Sequence, residues 1–228
     1  MKVLVACEES QAVTKEFRNR GHEAYSCDLQ PCSGGYYEWH ILGDVLPIIN
    51  GDCVFETMDG EKHHVYGSWD LIIAHPPCTY LSNVATRHHS VRCTPLDKIN
   101  DRTEKRIGAM KFFLTIVYSK CDRIAIENPV GVMNTCYRKP DQIIEPWYFA
   151  DSEDDPENYV TKRTCLWLKG VPPLIYDVSH MNKPDNAKIF GKRASGKNRT
   201  WEDSISRDAS VRSKTFSGIA RAMAEQWG

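Results

Sequence analysis

An apolar run, Leu71-Ile72-Ile73-Ala74, ends without transition in His75-Pro76-Pro77-Cys78. Two consecutive prolines fix the backbone and remove two amide donors, so a buried strand cannot continue past this point. The chain must leave the sheet abruptly and present Cys78 on a stiff loop. A thiol at the carboxyl edge of a sheet stands where open α/β folds bind their ligands.

The flanking sequence repeats this pattern of strand followed by polar tip. Lys2–Ala6 (KVLVA) reads as a buried first strand, broken by Cys7-Glu8-Glu9-Ser10. Residues 11–20 predict a helix with Val13 and Phe17 on one face, and Gly21 is a natural stop. Residues 22–27 read as a second strand closed by Asp28, and His40–Leu42 as a short third strand with Gly43-Asp44 at its tip. An acid ending the second strand commonly holds ribose hydroxyls in nucleotide-binding sheets, although acids also end plain loops. No G-x-G-x-x-G follows the first strand, so a dinucleotide site is not supported. Residues 51–67 contain Asp59-Gly60 between β-prone segments, a hairpin signal.

After Cys78, residues 79–99 are polar and irregular, with Arg87, His88, His89 and Arg92; such a loop beside a reactive centre reads as a mobile lid. Residues 101–120 predict the clearest helix, with Asp101 and Glu104 as a capping box. Its core stripe is expected at Ile107, Met110, Leu114 and Val117, widened by Phe113 and Tyr118. Residues 122–126 form the next expected strand, with Glu127-Asn128-Pro129 at its tip. Beyond Arg138 the pattern weakens. Residues 164–168 (TCLWL) read as a strand. Residues 183–214 carry nine Lys or Arg against four Asp or Glu. Residues 213–227 predict a closing amphipathic helix with Phe216, Ile219, Met223 and Trp227 on one side. The expected division is a core over 1–138, a small, partly basic extension over 139–212, and a helix over 213–228 packing back on the core.

With 228 residues, 41% of them hydrophobic, the chain can bury one good core. A net charge of −1 means that any nucleic-acid surface must come from local clustering, and residues 188–199 (KIFGKRASGKNR) are the candidate. Nine cysteines without regular spacing, an opening apolar run too short for a signal peptide, and no run of ~18 apolar residues suggest a cytoplasmic protein with free thiols and no membrane contact. Cys27 with Cys32, His63-His64, and His88-His89 with Cys93 are the possible metal ligands. None shows a repeated C-x-x-C, and adjacent histidines on a strand face opposite ways, so no metal is expected.

If the strands run parallel, Cys78 and Glu127 share the carboxyl rim. A thiolate beside a carboxyl suits addition to an electron-poor ring, with the acid serving a ring nitrogen. The PPC turn at Cys78 and the strand ending Glu127-Asn128-Pro129 resemble the DNA cytosine-C5 methyltransferases, whose motifs are PPC and usually ENV. The layout is similar to the small members found in phages and prophages. The resemblance covers residues 1–135 well and the remainder more loosely. It implies an α/β fold with a doubly wound, mostly parallel sheet, the Rossmann-like class I S-adenosylmethionine-dependent methyltransferase. It also implies S-adenosylmethionine as cofactor and a flipped cytosine in DNA as substrate. By the same resemblance Cys78 would add to cytosine C6, Glu127 would bind N3 and the exocyclic amine, and Arg163 would reach O2 or a phosphate. Asp28 would hold the cofactor ribose and Asp44 the adenine amine. Cys7, Glu8 and Ser10 would border the methionine moiety, with Pro76 lining that side and Thr215 at the pocket's close. The family's glycine-rich first loop is replaced here by CEESQA, and the chain has little room for a large recognition domain. A second copy or a helper subunit would then supply target recognition.

Other readings differ in kind. The same centre suits a free nucleotide or RNA as substrate, and the fold suits a nucleic-acid-binding protein without turnover. Amino-methyltransferases also use a Pro-Pro turn but usually follow it with an aromatic residue rather than Cys78.

Overall fold

A computed structural model describes residues 1–201 and 214–228. Its centre is a seven-stranded sheet. In chain order the strands of this sheet are β1 (Lys2–Ala6), β2 (Glu23–Asp28), β3 (His40–Leu42), β6 (Leu71–Ala74), β7 (Ile124–Pro129), β8 (Gln142–Ile144) and β9 (Thr164–Lys169). Across the sheet they run β3-β2-β1-β6-β7-β9-β8. The first five are mutually parallel; β9 runs antiparallel to both of its neighbours. A two-stranded antiparallel hairpin, β4 (Cys53–Glu56) and β5 (Lys62–Val65), stands apart with Asp59-Gly60 in its turn, as the sequence predicts.

Both faces of the sheet are buried, which is why its strands read as continuous apolar runs. Side chains alternate between the two faces. Val3, Val5, Leu71 and Ile73 join α1 (Ala12–Asn19) and α6 (Ser217–Trp227) in one core, through Val13, Phe17, Ile219, Met223 and Trp227. Leu4, Ala6, Ile72 and Ala74 join α3 (Leu96–Val117) and the β4–β5 hairpin in the other, through Phe113, Ile116, Phe55 and Trp69. The expected closing helix and its buried side are therefore present, from Ser217 onward. The architecture is a mostly parallel α/β sheet of Rossmann-like layout with few helices; α2 (Asn83–Thr86), α4 (Met133–Cys136) and α5 (Asn186–Phe190) are single turns.

Three expectations need correction. Helix α3 begins at Leu96, with Pro95 preceding its first turn, so Asp101 and Glu104 lie inside it. Asp101 instead pairs with Lys105 at 2.8 Å, one turn on. The residues this helix buries fully are Phe113 and Ile116, while Met110, Leu114 and Val117 pack partly and Ile107 and Tyr118 are exposed. The stripe is rotated because the helix meets the sheet along the line of Phe113. Residues 79–99 are also not irregular throughout: α2 and a 3-10 turn over Arg87–His89 occupy part of them.

The first 138 residues do not complete the sheet, because β9 and β8 follow them and continue it beyond β7. The part of the expected extension that stands off the sheet begins after Lys169 and includes an exposed basic turn. There Lys192 bridges Asn198, Arg193 N–H donates to the Lys197 carbonyl at 2.8 Å, and Lys192, Arg193, Lys197 and Arg199 are exposed. The expected features of residues 202–213 lie outside the described residues. Among the described residues, no helix is long and apolar enough to cross a membrane.

Candidate active site

Strand order reverses direction between β1 and β6, and open α/β sheets bind ligands in the crevice at that point, outside the carboxyl ends. Register sets what gathers there. Ala6 aligns with Cys27 on β2 and with Ala74 on β6, and Ala74 aligns with Ile126 on β7. One residue farther along, Cys7, Asp28, His75 and Glu127 form a row across the rim.

At the centre of the row His75 Nδ1 lies 2.8 Å from Glu127 Oε2, with both side chains largely buried. Burial disfavours a charged imidazole, but the Glu127 hydrogen bond and charge, helped by Glu8, outweigh it and raise His75 above its ordinary value. Burial likewise pushes Glu127 up, and the His75 bond and charge, with Lys162, more than reverse it, so its carboxyl is held below the usual range. His75 Nε2 is buried with no protein hydrogen-bond partner, and Thr215 Oγ1 stands 3.4 Å from Nδ1.

The neighbouring residue completes the clamp. Asn128 Nδ2 donates to the Pro76 carbonyl at 2.6 Å inside the protein. Glu127 and Asn128 thus hold the two residues that lead into Pro77 and Cys78. On the far side of Cys78, its carbonyl accepts from the Leu81 and Ser82 amides, both at 3.0 Å. Ser82 bridges Gly131, and the Val132 amide donates to the Leu81 carbonyl at 2.8 Å. The loops that follow β6 and β7 are therefore joined to each other. Gly131 is required by this approach, since a Cβ there would collide with the Leu81 carbonyl. Cys78 itself is exposed at the crest.

The β1 side of the rim is built differently. Cys7 and Gln11 both take positive φ, 60° and 58°, and swing Glu8 beneath α1. Glu8 is 3% exposed. Its carboxylate accepts from Val13 N–H at 2.6 Å, Thr14 N–H at 3.2 Å and Thr14 Oγ1 at 2.6 Å. It caps the helix in place of the side chain of Gln11, which makes no capping bond. The seat that a glycine-rich loop would leave for a ligand's phosphate is filled by the protein's own carboxylate. Burial, then the Asp28 carboxylate, Cys27 and Asp44, hold the Cys7 thiol well above the usual range, and burial with Asp28 and Asp44 pushes Cys27 up to about 12. Raised values disfavour the thiolate at both cysteines, and the charges of Asp28 and Asp44 bear on each.

The sequence-selected residues thus fall into groups. Cys78, Pro76, Glu127 and Thr215 belong to the β6–β7 centre, and Cys7, Asp28 and Asp44 to the β1–β3 side. Ser10 Oγ accepts from the Ala12 amide at 3.4 Å at the start of α1, and Glu8 faces that helix. Arg163 is exposed, and its charge is felt at Tyr148 and Cys165. Its neighbour Lys162 takes the inner position: its charge bears on Glu127 and His75, and it shares a small crevice with Glu127, Thr164 and Thr215. Lys162 Nζ also lies 5.2 Å from the Trp201 ring and 5.4 Å from the Phe216 ring. Sequence reasoning missed His75, and it singled out Arg163, for base O2 or a phosphate, where the structure places Lys162 nearer to Glu127. Of the candidate metal histidines, His63 bonds Tyr25 Oη and Thr57 Oγ1, both at 3.0 Å.

No protein-family model matches the chain, and a search of curated proteins finds no match.

Proposed function

We propose that this protein is an S-adenosylmethionine-dependent methyltransferase of class I fold that methylates C5 of cytosine in DNA, with Cys78 as nucleophile. The observation that carries the reading is the double clamp from β7: Glu127 on His75 and Asn128 on the Pro76 carbonyl, which hold an exposed thiol and a carboxylate on one rigid rim. Neither the Pro-Pro-Cys turn nor a rim glutamate paired with histidine is needed to fold a sheet.

The donor set on the β1 side suits the cofactor. S-adenosylmethionine carries a sulfonium, an ammonium and a ribose diol, and this side offers Asp28, Asp44 and the otherwise unpartnered Glu9 Oε1. With Glu8 closing the α1 terminus, a pyrophosphate is disfavoured there. Asp28 would hold the ribose hydroxyls and Asp44 the adenine amine, with Cys7 and Pro76 along the wall. When bound, the cofactor supplies an electrophilic methyl group.

The protein's own part is addition and proton management. The Cys78 thiolate adds to C6, forming the S–C6 bond and placing the C5=C6 electron pair on C5. Ionised Glu127 accepts from the exocyclic amine. The proton that N3 gains comes from the His75 imidazolium through the same carboxyl, over the 2.8 Å contact. Once C5 carries the methyl group its proton leaves to solvent. The S–C6 bond then breaks, regenerating the thiolate, and N3 returns its proton to the pair. The exposed basic turn at Lys192, Arg193, Lys197 and Arg199 is the surface that suits the phosphate backbone.

The test is covalent trapping. Incubated with the cofactor and DNA containing 5-fluorocytosine, the protein is expected to form a stable adduct on denaturing gels, absent in Cys78→Ala. Failure of the wild-type protein to form an adduct while it still binds the cofactor would remove this reading.

A further inference from the structure

Arg102 and Arg106 lie one turn apart on α3, and both address the loop that follows the nucleophile. Arg106 Nε donates to the Tyr80 carbonyl at 3.0 Å, and the Arg102 guanidinium lies 5.4 Å from the Tyr80 ring centroid. His89 reaches the same place from its own turn, with Nδ1 3.4 Å from Thr103 Oγ1. Three nitrogens of this cluster are buried without a protein hydrogen-bond partner: Arg102 Nε, Arg106 Nη2 and His89 Nε2. Among the described residues, neither arginine forms an ion pair.

Burying guanidinium N–H groups without acceptors is costly, and placing two such cations together adds repulsion. The repulsion is visible on the members themselves. Burial and the Arg102 charge lower Arg106, and burial with the charges of Arg106, Arg102 and His88 lowers His89. Nothing in the fold of α3 needs this arrangement, since the helix is seated by Phe113 and Ile116 farther along. An anion would satisfy it. A carboxylate offers two oxygens in one plane, whereas a phosphate presents oxygens in three or more directions to nitrogens on three side chains and matches the planar arginine fork.

We infer that Arg102, Arg106 and His89 form a phosphate-binding site that couples substrate binding to the nucleophile loop through the Tyr80 carbonyl. Tyr80 is two residues beyond Cys78, so a phosphate drawn onto Arg102 and Arg106 braces the segment that carries the thiol. The site stands on its own geometry; its assignment to the phosphate of the reacting substrate rests on the cytosine reading above. The phosphate is either a diester of a nucleic-acid backbone or the monoester of a free nucleotide.

The experiment titrates inorganic phosphate into the full-length protein at constant ionic strength, read by calorimetry and by thermal shift. Wild type is expected to bind saturably and to melt at a higher temperature. Arg102→Gln, which leaves the Arg106–Tyr80 bond in place, is expected to weaken phosphate at least tenfold, and Arg102→Gln with Arg106→Gln to abolish binding. Displacement of bound phosphate by dCMP, or by a cytidine-containing trinucleotide without terminal phosphates, supports the site and identifies the monoester or the diester as its source. No saturable binding by wild type, unchanged affinity in Arg102→Gln, or displacement by neither competitor overturns the inference. Loss of the 5-fluorocytosine adduct with phosphate binding intact would instead count against the cytosine reading alone.

Discussion

Two buried glutamates stand on the same rim and have been driven in opposite directions. Glu8 lies two residues beyond β1 and Glu127 lies within β7, and burial is the largest influence on both. Glu8 finds neutral dipoles, the Val13 and Thr14 amides and the Thr14 hydroxyl, as well as the more remote charge of His75, and burial still prevails, leaving its carboxyl above the ordinary value. Glu127 finds an imidazole at 2.8 Å that gains a proton as the carboxyl loses one, and its carboxyl falls below the ordinary value. Hydrogen-bond count does not decide the outcome, since Glu8 has more bonds. A partner that can itself become charged does. One carboxylate is thereby committed to holding a helix, and the other is poised to exchange a proton.

The sharpest way to break this contrast is Glu127→Gln. It leaves His75 buried without its counter-charge, and removing one partner of such a pair is expected to cost about 3 kcal/mol in chemical denaturation. On the proposed mechanism, methyl transfer should fall further than stability does, because the proton route from His75 through Glu127 is cut. Glu8→Ala is expected to cost less, about 2 kcal/mol, by stripping α1 of its cap and leaving the Val13 and Thr14 donors unmet. Equal losses in the two variants would erase the distinction. The smallest effect is in the pH dependence. The His75 contribution is present below the ordinary histidine value of 6.5 and is lost as pH rises through its raised folded value. The Glu127 contribution is present above the ordinary glutamate value of 4.5 and is lost as pH falls through its depressed folded value. Thermal melts should therefore show a shallow decline as pH rises above 6.5 that is absent in Glu127→Gln; an unchanged slope there would mean that the pair does not share a proton as described.

Much of this rim could be read from the chain. The Pro-Pro turn and the acid that closes β2 each mark a strand's end by residue type alone, and the alternation of Val3/Val5 against Leu4/Ala6 announces two buried faces; Glu127-Asn128-Pro129, expected as a tip, instead continues β7 in its pairing with β9. What escaped reading depends on register. His75 meets Glu127 because Ala74 aligns with Ile126, a fact of pairing between strands about fifty residues apart that no local pattern contains. Lys162 rather than Arg163 faces the centre because β9 runs antiparallel beside β7, and a run such as TCLWL carries no sign of its direction. The three-residue β8 is too short for periodicity to speak. The start of α3 was signalled by Pro95 and was masked by the more familiar Asp101–Glu104 spacing.

Gly131 gives the rim its last property. Because the loops after β6 and β7 are bonded through Ser82, Leu81, Gly131 and Val132, they share one opening event. A fluctuation that opens the loop carrying Cys78 therefore also opens the loop after β7, while Glu127 stays in its strand opposite Leu166. Cooperativity of this kind ties the position of the Cys78 turn to a neighbouring loop, so that neither moves by itself.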